Sequence, residues 1–381
     1  MEFFKTHKNL MTAVCAVASL AVAFVAGKDF YDFRHYQEVI IPGPGVTSTF
    51  QLSDYNENLK GTFGDTTVYV MEGEKEGGSF LVLGGTHPNE PSGHMAAITM
   101  VESGKVEAGT VYVIPRADNS AFTHNDAQEG SPHFFHIDTK SGTREFVFGS
   151  RASNPIDQWP DPDVYTHSSG QTLSGSEMRN INRTYPGVKD GTLTEQISYA
   201  ITNMINTLDI DMEMDLHEAS PEYPTVNATV AHERAMSMAS MGVLELQMSG
   251  VNMSLEPSPA TLHGLTHREL GDFTNTLALL METGNPSQGR LHGKTGEALI
   301  LTGKDDYYKK AYEAGYLYIP YDAENGVPLE LRVGRQLQGC VEYMRAFSDM
   351  YGAEKGEIVM TGLPTYEDLT AGGHKLGEYL N

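Results

Sequence analysis

The chain has 381 residues, with 26 Lys and Arg against 50 Asp and Glu, a formal net charge of −24. So acidic a surface excludes general binding to phosphate backbones or to anionic lipid, both of which need clustered basic side chains. A hydrophobic share of 40% with 39 Gly and 18 Pro is that of a folded chain, long enough for one large domain or two modest ones. Two cysteines, Cys15 and Cys340, exclude a disulfide scaffold and a thiolate metal cluster, so any metal would draw its ligands from the 14 His and the carboxylates.

Lys5, His7 and Lys8 precede an uncharged, mostly apolar run over 10–27, after which Lys28 and Asp29 restore charge. Residues 1–27 therefore read as a signal peptide or a membrane anchor, and the chain as exported: periplasmic, extracellular or anchored facing outward. Val14 before Cys15 argues against a lipoprotein box. Residues 28–60, broken by Pro42, Gly43, Pro44 and Gly45, read as a linker. From 61 to 352 strand and helix patterns alternate. Strands are predicted at 66–71, 79–83, 109–114, 210–217, 225–231 and 276–281, and helices at 93–103, 194–208, 235–248 and 329–350. Glu195 after Thr192 marks a capping box at the second helix. The Met residues of the third (Met236, Met238, Met241, Met248) suit core packing. Such alternation predicts an α/β sheet covered on both faces, followed by a tail over 353–381. Residues 119–186 break the pattern with many turn formers, four His, and the aromatics Phe134, Phe135, Phe146, Phe148, Trp159 and Tyr165, which suits an ordered loop covering a site.

Three segments carry chemistry. His87 and Glu90 sit three apart where a strand runs through Gly84-Gly85 toward a helix, so imidazole and carboxylate can converge. Asp211, Glu213, Asp215 and His217 alternate along another strand, an expensive pattern unless something uses it, and His217 lies at the carboxyl edge where open α/β sheets bind ligands. Glu282 ends a strongly apolar strand, where partial desolvation raises a carboxyl pKa toward a general base's range. Between them, Asn182-Arg183 before Pro186-Gly187 offers an amide and a guanidinium able to hold a carboxylate.

The order His87-x-x-Glu90, Asn182-Arg183-x-Tyr-Pro-Gly, Asp215-Leu-His217, Met281-Glu282 resembles the succinylglutamate desuccinylase/aspartoacylase family of the zinc-carboxypeptidase superfamily, over roughly residues 64–300. The resemblance implies a mixed central sheet with helices on both faces and one Zn²⁺ held by His87, Glu90 and His217. Glu282 would be the base that activates water, and Asn182 and Arg183 would hold a carboxylate or carbonyl of the substrate. For the arginine that polarises the scissile carbonyl, Arg151 and Arg144 are candidates, in that order. Asp215 would support the zinc ligands. Where the family has Asp-Leu-Asn-Arg, this chain has Asn180-Ile-Asn182-Arg183, so Asn180 would accept a hydrogen bond from a ligating imidazole without adding charge. About thirty residues follow the last long helix, little room for the β-rich C-terminal domain of aspartoacylases, which points away from acetyl-aspartate.

The expected activity is zinc-dependent cleavage of an amide bond in an N-acyl amino acid or related carboxylate-bearing small molecule or short peptide. Two alternatives stand beside it. One is an exported metallocarboxypeptidase or peptidoglycan-peptide amidase. The other is a zinc- or substrate-binding module without catalysis.

Overall fold

A computed structural model describes residues 8–126 and 130–381, divided into the compact units Met1–Gln37 and Glu38–Asn381. Lys5 and His7, and residues 127–129 of the predicted loop, lie outside the described residues.

In the first unit, helix α1 (Lys8–Arg34) continues past the apolar run into the segment expected to begin the linker. Its large apolar side chains are exposed, Leu20 and Phe24 at 70% and 73%. The 25-residue stretch Leu10–Arg34 is long and apolar enough to cross a membrane.

In the second unit the strands are β1 (Ser48–Gln51), β2 (Thr67–Glu72), β3 (Lys75–Leu83), β4 (Lys105–Ile114), β5 (Phe134–Thr139), β6 (Gly142–Val147), β7 (Val164–Thr166), β8 (Thr172–Ser174), β9 (Met212–Ala219), β10 (Ala228–Ala231), β11 (Ser254–Pro257), β12 (Leu277–Gly284) and β13 (Val359–Thr361). The helices that matter here are α2 (Pro91–Ser103), α3 (Leu193–Leu208), α4 (Met236–Met248), α5 (Thr266–Phe273) and, after two short helices α6 (Glu297–Thr302) and α7 (Asp306–Glu313), α8 (Leu329–Lys355) and α9 (Tyr366–Thr370). The main sheet runs β1-β2-β4-β3-β9-β12-β10-β11, with β13 also paired to β4. Its centre, β4-β3-β9-β12, is parallel, while β2 on one side and β10 on the other run antiparallel to their neighbours. The fold is thus α/β with a mixed central sheet.

Side chains alternate between the two faces, as the period of a strand requires. Phe80 and Val82 of β3 and Met212, Met214 and Leu216 of β9 join the core beneath α2, α4 and α8. Leu81 and Leu83 join the core beneath α3, with Ile197, Ile201 and Ile205. On β9 that second face carries Glu213, Asp215 and His217, all buried. The capping box at Thr192 and Glu195 is formed. Met238 lies in the core, whereas Met241 and Met248 are exposed.

Two segments read as linker and tail contribute to the packed body. Leu52 and Leu59 are fully buried beside α3, and β1 pairs with β2. At the other end β13 joins β4, and Leu369, Leu376 and Leu380 enter the larger core. These elements are three to five residues long, too short to display a period in sequence. The 119–186 segment forms two small hairpins, β5–β6 and β7–β8. Phe135, Phe146, Phe148 and Tyr165 are buried, but Trp159 is 77% exposed.

Candidate functional site

The parallel strands β3, β9 and β12 end at one edge of the sheet, and each delivers a polar group there. After β3 the chain turns at Gly85 (φ +66°), where a Cβ would meet Phe122 and the Pro115 carbonyl at 2.6 Å; only glycine fits. The turn carries His87 and leads to Glu90, the N-cap of α2. Gly93 lets α2 approach β9 closely, because a Cβ there would lie 2.3 Å from the Leu216 carbonyl oxygen. This approach brings Glu90 against His217.

Glu90 joins the two imidazoles. Its Oε1 lies 2.8 Å from His87 Nδ1 and its Oε2 lies 2.9 Å from His217 Nδ1; Oε2 also accepts the Glu218 N–H at 2.9 Å. The far nitrogen of each ring is held as well. His87 Nε2 is 2.9 Å from Asn180 Oδ1, and His217 Nε2 is 2.8 Å from Asp215 Oδ2. Asp215 in turn accepts the hydroxyls of Thr86 (2.7 Å) and Thr266 (2.9 Å). Asn180 thus makes the neutral contact expected where the family has Asp.

Burial raises the Glu90 pKa, but the two imidazoles outweigh it and hold the carboxyl well below the usual carboxylate range. Burial pushes His87 down; at His217 burial acts in the same direction and is overcome by Asp215 and Glu90, which drive it well above its ordinary value. One ligand atom from each of His87, Glu90 and His217 lies within 4.8 Å of the other two, and all three residues are buried. Two nitrogens and one oxygen, with both rings oriented from behind by acceptors, fit the donor set of a catalytic Zn²⁺ site.

Glu282 is paired in register with His217 across the β9–β12 ladder. Its Oε2 is buried and has no hydrogen-bond partner among the described residues. Burial pushes its pKa up to about 8, against the pull of His217. A carboxyl left unpartnered beside three potential ligands is poised to take and return a proton.

The site opens into a cavity of about 650 Å³ that Arg151, Asn182 and Arg183 also line. Arg151 Nη1 is 4.0 Å from Glu90 Oε1, with the side chain 41% exposed. Arg183 donates from Nη1 to the Asn182 carbonyl at 2.6 Å and faces Glu177 at 3.5 Å. Asn182 Oδ1 accepts the Thr266 N–H at 2.9 Å, and its Nδ2 is 3.3 Å from His217 Nε2. Arg144 lies elsewhere: both terminal nitrogens bind Glu102, at 2.8 and 2.9 Å, and Nη1 also binds the Asn381 carbonyl. Its place on β6, paired against β5, turns it toward those partners, and it is not among the residues lining the cavity. Of the two candidate arginines, Arg151 faces the cavity.

Sequence reasoning did not single out Thr86 and Thr266, which hold Asp215, or Tyr223, Glu256, His267 and Arg290, which line the cavity. None sits in a motif. The available signal for Thr86 is its place next to His87, and for Thr266 its position at the start of α5.

No family model and no curated protein matches the chain. Solved structures do. One is a succinylglutamate desuccinylase/aspartoacylase from Rhodobacter sphaeroides (16% identity over 80% of this chain and 61% of that chain, TM-score 0.40). Another is the product-bound cell shape determinant protein Csd4 from Helicobacter pylori (12%, 80% and 58%, TM-score 0.45). A third is a metallo-carboxypeptidase from Burkholderia cenocepacia (9%, 85% and 68%, TM-score 0.45). The chain spans less than two thirds of the length of the first two. Structures of the family that the motifs resemble are thus among those similar to this chain.

Proposed function

We propose that this chain is a zinc-dependent hydrolase that cleaves the amide bond of an N-acyl amino acid, or of a short peptide with a free carboxylate. The observation that carries the reading is the buried convergence of His87, Glu90 and His217, with the unpartnered carboxyl of Glu282 on the neighbouring strand in register with His217. His87, Glu90 and His217 would hold the ion. When bound, Zn²⁺ supplies Lewis acidity that polarises the scissile carbonyl and makes water more acidic at neutral pH.

The side chains divide the remaining work. Glu282 accepts a proton from the attacking water and returns it to the leaving amine. Ionising Glu282 is easier once a cation sits among the ligands, because the added positive charge opposes the desolvation that raises its pKa. Arg151, half-exposed at the rim, stabilises negative charge developing on the carbonyl oxygen. Arg183, with Asn182 beside it, anchors the substrate carboxylate. Asn180 and Asp215 keep both rings turned with Nδ1 inward. In a chain of net charge −24, these arginines and the bound ion would make a positive pocket in a negative surface.

The test is metal analysis and hydrolysis by the purified chain. The expected result is one zinc per chain, lost in His87→Ala, together with release of a carboxylic acid from N-acyl amino acids. Release of C-terminal amino acids from peptides in its place would favour the carboxypeptidase alternative. Absence of stoichiometric zinc would sink both.

A further inference from the structure

The rows of residues paired across the sheet define what lies beyond Glu282. Directly paired residues of neighbouring strands point to the same face. His217, Glu282, Ala228 and Ser254 therefore form one row, and Asp215, Leu280, Val230 and Glu256 form the next. The alternate residues Leu279 and Ala231 enter the core on the opposite face, and Leu255 packs against it. The second row consequently faces the site, and Leu280, Val230 and Glu256 all line its cavity.

Strands lie about 4.8 Å apart and advance about 3.3 Å per residue, so Glu256 stands two strands across and two residues along from Glu282, roughly 12 Å between Cα atoms. The floor between them is apolar, with Leu280 and Val230 2% and 6% exposed, and Pro257 and Leu262 also line the cavity. At its far end the exposed Glu256 side chain makes no hydrogen bond or ion pair among the described residues. The other acids lining the cavity are engaged or already assigned. Glu90 meets two imidazoles, Glu218 is paired with Arg332 at 2.7 Å, Asp126 accepts the Ser150 hydroxyl, and Glu282 is the proposed base.

We propose that this row is the pocket for the side chain of the amino acid half of the substrate. It selects a basic side chain on a methylene stem, such as that of lysine, ornithine or a longer diamino acid. The inference rests on the hydrolase reading above. An extended lysine side chain places its ammonium about 6 Å from its Cα, comparable to what remains of the roughly 12 Å between the Glu282 and Glu256 Cα atoms once both glutamate side chains reach inward. Its methylenes lie on Leu280 and Val230, and its charge meets Glu256. An aspartate or glutamate side chain would instead face a like charge there.

The experiment compares N-acetyl-lysine with N-acetyl-norleucine, which keeps the stem and lacks the charge, on the zinc-loaded chain. Binding of the free amino acids lysine and norleucine is measured by calorimetry in parallel. The expected result is a kcat/KM ratio of about tenfold in favour of lysine and a matching affinity ratio, both falling to near one in Glu256→Gln. Glu256 is exposed on the last strand of the main sheet, so that variant is expected to fold. Equal rates and equal affinities in the wild type, or ratios unchanged in Glu256→Gln, would overturn the assignment. If neither compound is hydrolysed, an acetyl group is ruled out as the acyl half, and the affinity ratio still decides the pocket.

Discussion

Among the described residues, two groups of histidine and carboxylate are close enough to share an ion, yet they are built for different purposes. In the first, His87, Glu90 and His217 are buried, each far ring nitrogen meets an acceptor, and the nearest arginine stands 4.0 Å from the carboxylate. In the second, His232 meets Glu233 and Asp272, which are 66% and 38% exposed. There the Arg268 guanidinium already binds both carboxylates, at 2.7 to 2.9 Å. Proximity of ligand atoms is thus insufficient. A metal site needs negative charge that no resident cation has neutralised, and rings fixed from behind.

The largest expected effect follows directly. His87→Ala should abolish stoichiometric zinc by elemental analysis and all hydrolysis, whereas Asp272→Asn should leave both unchanged. Zinc retained in the first, or lost in the second, would reverse the comparison. Glu282→Gln should keep its zinc and lose roughly 10²–10⁴-fold in kcat, because it removes the proton acceptor and no ligand.

A smaller effect probes the support behind the rings. Asn180→Ala should weaken zinc affinity by about 10–100-fold, read by competition with a chelator. Asn180→Asp is subtler, because the Asn180 amide donates to Glu177 Oε2 at 2.9 Å. An aspartate would set two carboxylates against each other, so the gain in zinc affinity should emerge only in the double variant with Glu177→Gln. That contact gives a local reason for asparagine where the family carries aspartate.

How much of this was legible in the sequence depended on length and period. The long buried strands and amphipathic helices declared themselves: β3, β9 and β12 lie where apolar runs or alternation placed them, and α3 begins at the predicted capping box. The place of His217 at a ligand-binding edge could be anticipated from its strand end, and its grouping with His87 and Glu90 from the order of motifs that the family resemblance rests on. Contacts made by the long loop were not legible. Arg144 and Arg151 are seven residues apart in a segment without periodicity, and only the fold shows that one pairs with Glu102 and the other faces the cavity. Glu256 was equally silent, since a four-residue strand has no pattern and its meaning comes from strand pairing.

The smallest expected effect lies in the second cluster and carries a sign. Burial opposes ionisation of Asp272, but hydrogen bonds from Arg268 and His232 outweigh it and leave its pKa below the ordinary 3.8. A carboxyl depressed in the folded state contributes stability that is fully present above its unfolded value and lost as pH falls through its folded value. Asp272→Asn should therefore lower the free energy of unfolding at pH 7 by no more than about 1 kcal/mol, because the side chain is partly exposed and Arg268 keeps Glu233. The deficit should shrink below about pH 3.8 and in high salt. Denaturant titrations at pH 7 and pH 3, with and without added zinc, separate this from a metal role. A salt-bridged cluster gives the same deficit whether or not zinc is present, while a deficit that appears only with zinc would mean that the second cluster binds the ion after all.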